Sequence, residues 1–344
     1  MPQFVRFMGD NGLPAWGEVE RSDAAGRASG GLLAELPPEH DPSYYPSLMR
    51  ALEDGGGGDP FQAEPGMILP PVSRPPVVLA IGMNYQDHLG EVNAKNEEDG
   101  KPTMPQPTEP TVFVKFPASV VGHEDAIVLP HMAPSCVDYE AELAVVIGRK
   151  VVNASPANAL DSVAYYTCAH DVSARDAQLE GPSGQWSRGK SFDSFCPIGP
   201  YAAVGIDPNS LDIAFVLNGE AVQSSNTQNL IFDVPTLISY LSHSMTLLPG
   251  TVILTGTPGG VGAFKDPPRY LRPGDMCQVT IEGIGTLRNE VAADDYTGYT
   301  PPSQFKGSPP PPAPAPASSP VQDDPDLDME TDFDLDLDPD EEDL

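Results

Sequence analysis

The stretch Asp138-Tyr139-Glu140-Ala141-Glu142-Leu143-Ala144-Val145-Val146-Ile147-Gly148 sets two acids at the head of an apolar run. The run Glu142 to Ile147 is short and rich in β-branched residues, which predicts a strand. A strand puts residues i and i+2 on one face, so Glu140 and Glu142 point the same way. A third acid, Asp171, follows the apolar run Val163 to His170 and opens Asp171-Val172-Ser173-Ala174-Arg175-Asp176. Acids facing a buried surface repel one another and resist desolvation unless something positive sits among them. The natural occupant is a hard divalent cation with oxygen ligands, Mg2+, Mn2+ or Ca2+. A solvent-exposed strand edge would carry the same pattern, and from the triad alone both readings stand.

Working outward, Val77 to Ile81, Thr111 to Lys115, Ala126 to Leu129, Leu211 to Leu217, Thr251 to Thr255 and Met276 to Ile281 also suit strands. Asn218-Gly219, between Leu211–Leu217 and Glu220–Gln223, is a two-residue hairpin signal. The best helix candidate is Val234 to Ser244, with Asp233 as N-cap and Pro235 in the first turn. Residues 1–70 read as a small unit, with strands at Gln3 to Met8 and Ala15 to Val19 and a helix around Tyr44 to Leu52. Gly55 to Gly58 and the prolines Pro65, Pro70, Pro71, Pro75 and Pro76 then form a connector. The fold class is a β-rich α+β protein with its body over residues 77–295.

The chain has 344 residues and a formal charge of −32, enough length for a real core. After Lys306 there are 13 acids and no base, which leaves −19 on the rest. Such a body argues against nucleic acid and anionic membranes as partners but not against a small anion in a local positive pocket. Residues 301–344 are proline-rich and then acidic, alternating as in Asp332-Phe333-Asp334-Leu335-Asp336-Leu337-Asp338, and read as a disordered tail. A solvated tail is the favoured reading; the other is a segment that docks on a basic, greasy groove of an unknown partner. Cys136, Cys168, Cys196 and Cys277 are widely spaced and fit reduced thiols rather than a disulfide or zinc framework. With no membrane-length apolar run and an acidic, arginine-poor start, the expectation is a soluble cytoplasmic protein.

Three stretches offer chemistry beyond the triad. In Asn84-Tyr85-Gln86-Asp87-His88-Leu89-Gly90-Glu91, His88 and Glu91 lie three apart, side by side on a helical turn. A carboxylate beside an imidazole fixes its tautomer and raises its basicity, as a general base requires. Gln185-Trp186-Ser187-Arg188-Gly189-Lys190-Ser191-Phe192 and Arg175 with Gln178 supply cations and a polar group for an anionic substrate. Thr255-Gly256-Thr257-Pro258-Gly259-Gly260-Val261-Gly262 is a glycine-rich turn without a P-loop or dinucleotide pattern, whose amides and Thr257 hydroxyl suit a carboxylate. Taken singly, each is better read as an ordinary surface ion pair or tight turn.

In this order the set resembles the fumarylacetoacetate hydrolase superfamily from about Val77 to Val291. The carriers are Asn84-Tyr85-x-Asp87-His88, Glu140-x-Glu142, Asp171-x-Ser173-x-Arg175-Asp176, Gly189-Lys190-Ser191-Phe192 and Thr255-Gly256-Thr257-Pro258. Val222 to Thr227 and Gly260 to Pro268 resemble the domain-containing protein 2 subgroup more closely, while the sequence around His88 differs from that of the founding tyrosine-pathway hydrolase. The resemblance implies a mixed β-sheet roll, a homodimer, and Mg2+ or Mn2+ held by Glu140, Glu142 and Asp171. It implies His88 as base, oriented by Glu91 on a short lid helix, with Lys190 beside them in the catalytic set. Arg175, Gln178, Thr257 and Lys190 match positions that contact an oxo-acid end. The implied reaction is on a small 2-oxo or 1,3-dicarbonyl acid, of oxaloacetate or acylpyruvate type, through an enolate stabilised by the metal. Carbon–carbon hydrolysis is the first expectation, with oxaloacetate tautomerisation or decarboxylation as alternatives from the same site. A non-catalytic scaffold acting through the acidic tail is the competing class, and the subgroup resemblance adds mitochondria as a second compartment. The segment Asn93 to Pro110 is longer than the subgroup pattern implies.

Overall fold

The computed structural model describes residues 2–9, 14–22, 27–35, 48, 60–72, 74–133, 135–179 and 184–294. The tail expected over 301–344 and the helix expected over 44–52, its buried Leu48 apart, lie outside the described residues. In chain order the strands are β1 Gln3–Met8, β2 Pro14–Ser22, β3 Ala28–Glu35, β4 Pro60–Ala63, β5 Ile68–Leu69, β6 Val78–Gly82 and β7 Thr111–Lys115. They continue as β8 Val120–Val121, β9 Ile127–Leu129, β10 Val137–Asp138, β11 Ala141–Ile147, β12 Val163–His170 and β13 Ser173–Ala174. The last are β14 Cys196–Ala203, β15 Asp212–Leu217, β16 Glu220–Asn226, β17 Val252–Leu254, β18 Met276–Ile281 and β19 Gly285–Ala293.

One mixed sheet runs β4-β3-β2-β1-β14-β12-β11-β17-β6-β7, with β5 added on β1 and β8 on β14. A second runs β16-β15-β18-β19-β9, and a short ladder joins β10 to β13. This is the mixed β-roll that the family resemblance implies. The main core lies where the two sheets face, with Leu143, Val145 and Cys168 against Phe215, Val279 and Leu287 in one cluster. Burying such side chains contributes about 1.5–3 kcal/mol each, which is what drives the two faces together. β11 sits between β12 and β17 and is buried along its whole length, so the exposed-edge reading of its acids is excluded.

Local rules account for the elements that match expectation. Asn218 and Gly219 have φ of 55° and 83°, the left-handed pair a tight hairpin needs, and β15 pairs with β16 across them. Asp233 Oδ1 accepts the Thr236 N–H at 2.9 Å and caps the helix Val234–Ser244. The N-terminal strands are not separated from the body by a break in pairing. β1 joins β14 through Gln3↔Ala203 and Phe4↔Ala202, so the first unit extends the main sheet. The helix bearing His88 runs Gln86–Glu98, longer than the short helix expected. The extra segment after it is tied down by paired Asn93–Met104 hydrogen bonds of 3.0 and 2.7 Å and by the Tyr240 hydroxyl on Glu109 at 3.1 Å.

Candidate active site

Strand direction gathers the candidate residues. β6 and β17 are parallel, with Leu254 opposite Ala80, so Gly82 to His88 and Thr255 to Thr257 leave the sheet at the same end. β11 is antiparallel to both β12 and β17, with Ala141 opposite His170. The Glu140–Glu142 start of β11 and the Asp171 that follows β12 therefore arrive at that end too.

Glu140, Glu142 and Asp171 are buried, and one oxygen from each lies within 4.8 Å of the others. The Lys190 ammonium bridges two of them, 2.8 Å from Glu140 Oε2 and 2.6 Å from Asp171 Oδ2. Lys115 holds the other Asp171 oxygen at 2.6 Å and donates to the backbone carbonyls of Val172 and Lys190. Burial alone would raise the Glu140 carboxyl, but Lys190 and Arg175 hold it well below the usual range. Burial opposes charge on Lys190, yet Asp171 and Glu140 outweigh it and raise its pKa.

Glu142 has a different environment. Gly256 donates its N–H at 2.7 Å, and no Lys or Arg among the described residues lies within ion-pair distance of it. Burial, then the charges of Asp171 and Glu140, push its carboxyl well above the usual range. Three oxygen donors with one carboxylate short of a counter-charge fit a hard divalent cation.

His88 Nδ1 lies 3.3 Å from Glu91 Oε2, and the Gly260 N–H donates to both Glu91 oxygens at 3.1 and 3.0 Å. The Phe264 ring meets the His88 ring edge-on at 5.9 Å. Arg175 contacts Asp138 Oδ2 at 2.8 Å and Glu140 Oε1 at 2.7 Å, and donates to Gln178 Oε1 at 3.0 Å. Burial disfavours the guanidinium charge, but Asp138 and Glu140 more than compensate. Thr257 Oγ1 accepts from Gln223 Nε2 at 2.9 Å.

A cavity of about 140 Å³ brings these groups together. His88, Glu140, Arg175, Gln178, Lys190 and Thr257 line it, opposite an apolar wall that includes Met83, Phe113, Trp186 and Phe264. Glu91 and Asp171 are joined to that lining through His88 and Lys190, and a Glu142 oxygen lies within 4.8 Å of oxygens of Glu140 and Asp171. Sequence reasoning gave no role to Lys115, Asp138, Gln223 or Asp87. Asp138 carried a signal as a third acid in the Asp138-x-Glu140-x-Glu142 alternation, and Asp87 and Gln223 stood in the motifs of the family resemblance, whereas Lys115 carried none.

A buried acid triad with its own lysine, beside a histidine–carboxylate pair at the open end of a mixed β-roll, defines an enzyme class that works on small molecules. Residues 77–292 match the fumarylacetoacetate (FAA) hydrolase C-terminal family, and the chain belongs to it. An uncharacterized protein of Archaeoglobus fulgidus is 48% identical over 227 residues, 66% of this chain and 82% of that protein. The Homo sapiens protein named oxaloacetate tautomerase FAHD2A, mitochondrial, is 46% identical over 226 residues, 65% of this chain and 68% of its own length. Among solved structures, a 5-carboxymethyl-2-hydroxymuconate delta-isomerase from Mycobacterium smegmatis aligns with a TM-score of 0.66 and 32% identity, over 86% of this chain and 100% of that one. A fumarylacetoacetate hydrolase from Exiguobacterium antarcticum aligns with a TM-score of 0.67 and 34% identity, over 86% and 100%. No helix among the described residues is long and apolar enough to cross a membrane. Cys168, Cys196 and Cys277 are buried free thiols, and burial pushes the Cys168 thiol up to about 12.

Proposed function

We propose that this chain is a divalent-metal-dependent enzyme that interconverts the keto and enol forms of a small 2-oxo acid, with oxaloacetate the substrate to test first. The observation that carries the reading is that His88, paired with Glu91 at 3.3 Å, shares one cavity with Glu140, Arg175 and Lys190. His88 donates Nδ1–H to Glu91, which leaves Nε2 as its basic nitrogen. That nitrogen takes a proton from the carbon beside the keto group and delivers it to the enolate oxygen to give the enol; the reverse path removes the enol proton and protonates the carbon. Glu91 steadies the imidazolium in between. Arg175, Gln178 and Thr257 bind the oxo-acid end, and the Lys190 ammonium offsets negative charge as it develops. Glu140, Glu142 and Asp171 would hold Mg2+, Mn2+ or Ca2+, which when bound polarises the keto oxygen and stabilises its negative charge.

Tautomerisation needs a base and a stabilised oxyanion, which the named residues supply. Carbon–carbon hydrolysis, the first expectation from the sequence, needs a positioned water nucleophile as well. The naming of the human and bovine relatives as oxaloacetate tautomerases supports the former. We assign the chemistry to residues 77–295 of a homodimer, take 1–70 as an accessory unit, and keep the tail 301–344 apart from both. The mitochondrial naming of those relatives makes that compartment the one to test before the cytoplasm.

The test is proton NMR of purified protein with Mg2+ and freshly dissolved enol-oxaloacetate. Faster enol–keto exchange without net product supports tautomerisation, and His88→Ala abolishes it while Mn2+ still binds. Release of pyruvate, or of two acids from an acylpyruvate, would move the assignment to decarboxylation or hydrolysis. No acceleration with any of these substrates would sink the enzyme reading.

A further inference from the structure

The glycine-rich turn after Thr257 does more than line the cavity. Gly259 donates its N–H to Asp87 Oδ1 at 3.3 Å, and Gly260 donates to both oxygens of Glu91 at 3.1 and 3.0 Å. Gly262 and Ala263 donate to Asp138 Oδ1 and Oδ2 at 2.7 and 3.0 Å. Each carboxylate has a second task. Asp87 accepts the His88 N–H at 2.8 Å and the Ser225 hydroxyl at 2.6 Å, fixing the start of the helix Gln86–Glu98. Glu91 faces His88, and Asp138 grips Arg175 through Nε at 2.9 Å and a terminal nitrogen at 2.8 Å. Residues 259–263 thus reach the histidine pair on one side and the arginine on the other. The segment has no freedom to carry side chains at its key points. Gly260 has a φ of 104°, and a Cβ there would meet the Val222 carbonyl oxygen; one on Gly262 would meet that of Arg269.

We propose that residues 259–263 couple the His88–Glu91 pair to Arg175, with Asp138 as a positioning residue for both. The inference rests on reading His88 as the base and Arg175 as a substrate contact. Charge-assisted N–H to carboxylate bonds are short and directional, so moving one anchor of a five-residue turn moves the other. Asp138→Asn keeps the size, but its amide nitrogen meets either a backbone N–H or the guanidinium, donor against donor.

The test uses the full chain with saturating Mg2+ and oxaloacetate, comparing wild type, Asp138→Asn, Glu91→Gln and the double variant. Asp138→Asn is expected to raise KM through Arg175 and also to lower kcat at least fivefold through Glu91. The double variant should fall short of the product of the single losses by fivefold or more. Independent sites would multiply within about twofold, with the Asp138→Asn effect confined to KM, and that result overturns the coupling. Hydrogen exchange provides an arm that needs no turnover. Asp138→Asn should lower protection in residues 86–98 together with 259–264, and leave the β15–β18–β19 sheet unchanged. Loosening confined to 259–264 overturns the proposal, whereas absent turnover with coupled loosening overturns only the functional reading. Ala263→Pro, which deletes one N–H donor and keeps the Asp138 charge on Arg175, serves if Asp138→Asn does not fold. It should lower protection in both segments and lower kcat with little change in KM; unchanged protection in 86–98 refutes the coupling.

Discussion

Replacing Glu142 by Gln should stabilise the metal-free protein and abolish its stabilisation by metal. The oxygens of Glu142, Glu140 and Asp171 lie within 4.8 Å of one another, and no Lys or Arg among the described residues pairs with Glu142. At that distance and an effective dielectric of about 20, each like-charge pair costs about 3.5 kcal/mol. Glu142 relieves part of this by holding a proton, as its raised pKa indicates. The gain on substitution is therefore about 1–3 kcal/mol rather than the full repulsion. The Gln carbonyl can still accept the Gly256 N–H that Glu142 accepts at 2.7 Å, so no hydrogen bond is lost. In a domain of this size the gain is a melting temperature about 2–5 °C higher in EDTA. Wild type should gain about 2.7 kcal/mol from Mg2+ at a hundred times its dissociation constant, and the variant almost nothing. Calorimetry with and without Mg2+ reads both quantities. A metal-free variant that melts below wild type, or that keeps the full Mg2+ increment, would refute the assignment of Glu142 as the unbalanced ligand.

Three further outcomes are expected. Asn84→Ala removes Nδ2 bonds to the carbonyls of Thr255 (2.8 Å) and Phe232 (3.0 Å) and the Oδ1 bond from the Phe232 N–H (2.8 Å). Leaving those buried groups unpaired should cost about 2–4 kcal/mol in urea denaturation, and a loss below about 0.5 kcal/mol contradicts the pinning of β6 to β17. His170 is buried, has no partner for either ring nitrogen among the described residues, and is lowered to about 3 by burial and then by Lys115 and Lys190. Its folded pKa is depressed, so below about 6.5 the unfolded chain takes up a proton that the native state refuses, and stability falls with pH from there toward 3. His170→Phe should flatten that acid limb by up to roughly 4 kcal/mol; an unchanged slope of melting temperature against pH from 6.5 to 4 would be contrary. Finally, the −19 carried by residues 1–306 repels a dianionic substrate at long range. KM for oxaloacetate should fall as ionic strength rises from about 10 to 150 mM and the Debye length shrinks from about 30 to 8 Å, and a monotonic rise would count against this.

What could be read from the sequence was whatever short-range rules determine. The turn at Asn218-Gly219, the capped helix Val234–Ser244 and the three-residue offset of His88 and Glu91 depend only on neighbours, and all match. β14 was not expected, because Pro197 and Pro200 in Cys196–Ala203 argue against an interior strand. The ladder accommodates them by splitting: β12 pairs with Ile198, Gly199 and Ala203 across a register shift, and β1 pairs only with Ala202 and Ala203. β19 was missed because Gly285, Asn289 and Glu290 are poor strand formers and the buried Asn289 interrupts the apolar alternation that Leu287 and Val291 would otherwise show. Whether Glu142 faced solvent or the interior depended on β11 lying between β12 and β17, a pairing set by residues far away in sequence. Lys115 was invisible for the same reason. At the end of a plain β run it looks like an ordinary surface lysine, and its partner Asp171 is 56 residues away.

The long-range partners also bear on how so acidic a protein could take the proposed anionic substrate. Asp138, Glu140 and Asp171 are each matched by a basic side chain within 3 Å, from Arg175, Lys190 and Lys115. Those pairs fix the positions of the acids but leave no surplus positive charge, and Glu142 remains in excess. A divalent cation that displaced the proton Glu142 holds would turn a neutral cluster into one with a net +1 charge at the floor of the cavity. The matched pairs carry no net positive charge of their own, because Lys190 and Arg175 also face carboxylates, so they can orient an anion within the cavity but not attract it from a distance. On the proposed function, anion affinity would thus depend on the one unmatched acid. A chain with the same fold and a neutral residue at 142 would keep its buried ion pairs and lose the charge that draws the substrate in.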